Sequence, residues 1–72
     1  MKTNIEVARI ASNLTQQELA NKVGVSKQAV CEWERHQRIP RIQTLRKLSR
    51  LFHKPIDYLL EQVEETNLTE QE

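Results

Sequence analysis

The chain has 72 residues, 29% charged and 38% hydrophobic, with a single cysteine. A chain this short makes one domain burying only about 60% of its unfolded surface; one thiol excludes an internal disulfide, and no apolar run approaches the ~20 residues of a membrane-crossing helix. The formal net charge of +1 hides a segregation: all eleven Lys and Arg lie between Lys2 and Lys54 against four acids, a balance of +7, whereas residues 55–72 hold six acids and no base. A basic body points to a polyanionic partner; the alternative is a solvated surface shielded by its own tail. With one thiol and no signal-peptide pattern, the expected compartment is a reducing cytoplasm.

Thr3 and Glu6 have the spacing of a capping box that starts helix 1 just before Ile5. Ile5, Ala8, Arg9 and Ser12 then share one side, and Asn13, a residue tolerant of the left-handed conformation, ends the helix. Thr15 and Glu18 repeat the T-x-x-E pattern, so helix 2 starts at Gln16 and carries Leu19, Ala20 and Val23 on one face. Gly24, the only glycine, supplies the positive φ of a helix stop, and Ser26 caps helix 3. Helix 3 buries Val30 and Trp33 and turns Lys27, Gln28, Cys31 and Glu32 elsewhere. So short a turn forces helices 2 and 3 to cross steeply, with small Ala20 at the crossing.

After Arg35, the loop His36–Pro40 precedes a fourth helix expected from Arg41 to Leu51, with Leu45, Leu48 and Phe52 inward and Arg46, Lys47 and Arg50 outward. Pro55, placed in a first turn, opens a fifth helix whose apolar residues are Ile56, Leu59 and Leu60. The pattern divides the chain into a helical domain, residues 1–62, and an acidic C-terminal tail, residues 63–72, expected to be flexible.

The stretch from Gln16 to Arg35 resembles the helix-turn-helix of the Cro/CI-type family, also called the xenobiotic response element family. Ala20, Gly24 and apolar Leu19, Val23, Val25, Val30 and Trp33 fall at that motif's positions, and the likeness runs from about Ile5 to Leu60. It implies an all-α, compact five-helix, lambda-repressor-like domain. Asn13 and His36 stand where relatives commonly have glycine; His36 therefore implies a strained or differently shaped loop.

The resemblance also implies duplex DNA as partner. In a major groove, the N-terminal exposed residues of helix 3 reach base edges first, which assigns base reading to Lys27, Gln28 and Glu32. Lys suits guanine O6 and N7, and Gln suits adenine N6 and N7. A carboxylate at Glu32 accepts from cytosine N4 but faces phosphates, which leaves open either cytosine selection or weak binding. Gln16 and Ser26 match backbone-contact positions, and Arg35, Arg38 and Arg41 bracket a loop expected beside the other strand. Each arginine alone reads equally well as solvated surface charge. Arg9 and Glu34 match a family pair that forms an inward salt bridge.

Trp33 reads as core, Cys31 has no thiol partner, and His36 and His53 lack metal-ligand spacing. No enzyme, cofactor, metal, membrane or small-molecule effector is expected. The favoured reading is a sequence-specific DNA-binding transcription regulator, a homodimer on a pseudo-palindromic site. Phe52, Lys54, Ile56, Tyr58 and Leu59 are its dimer candidates. The alternative is a protein modulator, anti-repressor or antitoxin-like, that binds a partner repressor.

Overall fold

A computed structural model describes residues 2–61. They form five helices: α1 Asn4–Ala11, α2 Gln16–Val23, α3 Lys27–Glu34, α4 Ile42–Phe52 and α5 Ile56–Leu60. The tail boundary after residue 62 lies outside the described residues.

Three helices start on hydroxyl caps. Thr15 Oγ1 accepts the Glu18 N–H at 3.0 Å while Glu18 Oε1 accepts the Thr15 N–H at 2.8 Å, so the capping box at α2 is complete. Ser26 caps α3 through the Ala29 N–H at 3.1 Å. At α1 only half of the expected box forms. Thr3 Oγ1 accepts the Glu6 N–H, but the Glu6 carboxylate turns to Arg9, 4.0 Å away.

The helix ends share one device, a residue at positive φ: Asn13 at 60° after α1, Gly24 at 77° after α2, His36 at 65° after α3 and His53 at 56° after α4. After α3, the Gln37 N–H bonds the Glu32 carbonyl at 2.9 Å and the His36 N–H bonds the Trp33 carbonyl at 3.2 Å. These are the paired bonds of a Schellman stop, made here without glycine. Lys47 Nζ reaches the Val23 carbonyl at 3.5 Å, which places a cation at the negative end of α2.

The core gathers Ile5 and Ala8 of α1, Leu19, Ala20 and Val23 of α2, Val30 and Trp33 of α3, Leu45, Leu48 and Phe52 of α4, and Leu59 of α5. Ala20 is fully buried in the tightly packed α2–α3 pair, as its small size at a crossing requires. Closure falls to α1 and α5. Buried Asn4 donates its side-chain amide to the Tyr58 carbonyl at 2.8 Å and its backbone N–H to the Glu61 carbonyl at 3.3 Å.

Three expectations shift. Arg41 is the N-cap of α4 rather than its first residue, with Pro40 buried just ahead of it. Pro55 likewise precedes α5 as its N-cap, and Leu60 ends up 48% exposed because the helix is a single short turn and a half. Phe52 and Leu59, expected as dimer contacts, are 8% and 2% exposed; their area is already buried within one chain, so neither offers surface to a second.

Left-handed backbone is unfavourable for any residue bearing a Cβ. His53→Gly is expected to stabilise the domain by about 0.5–1 kcal/mol, raising Tm by roughly 3–6 °C, and Gly24→Ala to lower it. Thermal melts followed by circular dichroism check this. A lower Tm for His53→Gly would show that the imidazole makes a contact outweighing its backbone strain.

Candidate nucleic-acid interface

The end of α3 is pinned by a buried carboxylate. Arg9 of α1 donates from Nε to Glu34 Oε2 at 2.7 Å and from Nη2 to Glu34 Oε1 at 3.1 Å, and from Nη1 to the Leu14 carbonyl at 2.8 Å. The side chains are 12% and 4% exposed. Such a two-pronged, charge-assisted pair is stronger and more directional than a neutral hydrogen bond. Gln16, assigned from the sequence to the DNA backbone, points here: its Nε2 donates to Glu34 Oε1 at 2.9 Å. One carboxylate thus ties the first residue of α2 and the middle of α1 to the last residue of α3.

With one side of α3 held by Glu34, Val30 and Trp33, the opposite side faces out. Lys27 and Gln28 are exposed in the first turn, Ser26 is exposed as the cap, and Ala29, Cys31 and Glu32 are half-buried. Glu32 is engaged inside the protein. Gln28 Nε2 donates to its Oε2 at 3.0 Å, and Arg38 Nε lies 3.1 Å from its Oε1. Ser26, Lys27 and Gln28 are therefore exposed together at the start of α3. Glu32 sits beside them with its carboxylate already approached by two side chains.

Arg35, Arg38 and Arg41 are all exposed along the segment after α3, and among the described residues Arg35 and Arg41 form no ion pair. Between α3 and this segment lies an open groove of about 330 Å³, whose walls include Ala29, Trp33, Arg38, Ile39, Arg41 and Thr44. Ile39 is 72% exposed, flanked by Arg38 and by Pro40, and had no role in the sequence reading. Its position within a basic loop was visible. That its side chain is left uncovered depends on how Pro40 tucks inward, which periodicity does not report.

On the dimer candidates, Lys54, Ile56 and Tyr58 keep some exposure, and Lys54 Nζ stacks 5.1 Å from the centre of the Tyr58 ring. Among the described residues no group of three His, Cys, Asp or Glu side chains could hold a metal, and no helix is long and apolar enough to cross a membrane.

Residues 5–59 match the family model described as helix-turn-helix, and they contain the whole of this surface. The chain belongs to the Cro/CI-type helix-turn-helix family. Family relatives include the HTH-type transcriptional activator BcrR of Enterococcus faecalis, 35% identical over 68 residues. The cryptic phage CTXphi transcriptional repressor RstR of Vibrio cholerae is 32% identical over the same length. Both alignments cover 94% of this chain, which spans only 33% and 60% of those proteins. Among solved structures, the N-terminal DNA-binding domain of SinR from Bacillus subtilis superposes with a TM-score of 0.74 at 32% identity, over 86% of this chain and 91% of that one. The DNA-binding domain of the P22 C2 repressor gives 0.70 at 36% identity, over 78% and 74%.

Removing Glu34 strands the Arg9 guanidinium in a mostly buried position, which costs about 3–5 kcal/mol. Glu34→Ala is therefore expected to lower Tm by more than about 10 °C. A melt within about two degrees of the parent would instead give the pair the small value of a surface salt bridge.

Proposed function

We propose that this chain is a DNA-binding transcription regulator that presents α3 to the major groove of duplex DNA. The observation that carries the reading is the pairing of exposed Lys27 and Gln28 at the leading turn of α3 with rigid anchorage of that helix from behind. Base edges can be read only by side chains whose backbone is held in register. The family supports the same reading, since relatives named as an activator and a repressor of transcription, and DNA-binding domains of known structure, share its fold.

Roles follow from placement. Lys27 donates to guanine and Gln28 pairs with adenine, the two types matching the acceptor and donor patterns of those bases. Ser26, with its hydroxyl at the α3 N-terminus, and exposed Arg35 and Arg41 contact phosphates, which position the helix without reading sequence. A single copy touches few phosphates, so the working form is a homodimer whose two α3 helices meet grooves about 34 Å apart on a pseudo-palindromic site. With Phe52 and Leu59 in the core, Lys54, Ile56 and Tyr58 remain for the dimer contact. The alternative, a modulator that binds a partner repressor, is supported by the acidic residues 55–72 and less by Glu32, whose carboxylate is engaged by Gln28 and Arg38.

Selection from a random duplex library, with affinities measured across a salt series, tests the reading. Log affinity is expected to fall with log salt at about −0.9 per phosphate neutralised. Lys27→Ala should relax base choice at one position at a cost of about 1–3 kcal/mol, whereas Arg41→Ala should weaken all sequences alike and flatten the salt slope by about one. Failure of any duplex to bind at low salt would end this proposal.

A further inference from the structure

Glu32 holds an unusual place on α3. Its side chain is 23% exposed, Oε2 accepts from Gln28, and Oε1 is shielded from solvent without a hydrogen bond among the described residues. Arg38 Nε lies 3.1 Å from Oε1, close enough for an ion pair but not aligned as a hydrogen bond. Buried acceptors are nearly always satisfied, so an oxygen held only by charge proximity marks an arrangement that is stable but replaceable. Arg38 itself is 60% exposed, so its guanidinium stays at the surface when Glu32 no longer holds it.

We infer that Glu32 is a positioning residue for sequence reading: it holds the Gln28 carboxamide in one orientation and keeps Arg38 from the phosphates. This rests on the reading of α3 as a groove-binding helix and departs from the reading of Glu32 as a base contact. Two consequences follow from the geometry. With one N–H committed to Glu32, the Gln28 amide cannot flip freely, and its oxygen and second N–H stay available for the two edge atoms of adenine. With Arg38 paired to Glu32, one phosphate is left without its arginine, which weakens binding to every duplex alike and leaves discrimination to the bases.

Binding of fluorescent duplexes by Glu32→Gln, Glu32→Ala, Arg38→Ala and the double variant Glu32→Gln/Arg38→Ala, across a salt series, separates the two tasks. Glu32→Gln keeps an acceptor for Gln28 and loses the charge, so it should steepen the salt slope by about 0.9 while keeping base preference. Glu32→Ala should steepen the slope equally and also lose about fivefold or more of the discrimination at the base pair read by Gln28. In the Arg38→Ala background, Glu32→Gln should leave the slope unchanged. An unchanged slope in Glu32→Gln, or loss of preference for cytosine at a separate position in Glu32→Ala, would overturn the inference. If the parent chain binds those altered-salt duplexes normally, such a failure leaves the proposed function standing; if the parent binds no duplex at all, both fall.

Discussion

Glu34 joins three helices at one point. Its two oxygens receive Arg9 from α1 and Gln16 from the first turn of α2, while its own backbone ends α3. A carboxylate at 4% exposure is tolerable only when its lone pairs are met by oriented donors, and here they are met by side chains from elements far apart in sequence. Packing of Val30 and Trp33 fixes how deep α3 sits; the directional bonds to Glu34 fix its rotation and its slide along its axis. This buried cluster gives the outward residues Lys27 and Gln28 a fixed position, which the proposed reading of base edges requires.

Around that anchor, the chain changes direction four times with the same left-handed stop, and uses glycine only once. Between α2 and α3 the glycine serves its φ of 77°; a Cβ there would meet only Lys47 Nζ at 3.8 Å, so the requirement is conformational and not one of space. After α1, α3 and α4 the stops are Asn13, His36 and His53, each carrying local strain. The stop after α3 has a further effect. It sends the chain out at an angle that sets Arg38 against Glu32, leaves Ile39 uncovered and buries Pro40, so the loop's backbone geometry shapes half of the proposed interface.

Charge is distributed to the same end. The basic residues of the body are mostly exposed, and among the described residues those whose charges are matched closely are Arg9, inside, and Arg38, at the edge of α3. The interior pair contributes to stability and location. The edge pair, screened by solvent and open on the arginine side, contributes little to stability and instead modulates what the surface can offer to a polyanion. Two arginine–glutamate contacts of similar length thus have different consequences because their burial differs.

Local patterns in the chain were sufficient for the five helices and for the starts of the first three. Thr15 with Glu18, Ser26, and the lone Gly24 are signals confined to a few residues, and the apolar spacing of Leu19, Ala20, Val23, Val30 and Trp33 assigned the inner face correctly. Exposure of Lys27 and Gln28 followed from the same period. What tertiary structure alone decided are contacts between side chains on different elements: Gln16 turning to Glu34, Glu32 meeting Arg38, and Asn4 closing onto Tyr58. Periodicity reports which face of a helix is apolar, because that depends on 3.6 residues per turn. Which polar group a long flexible side chain finally meets depends on the relative placement of whole helices, and that is settled only once they pack.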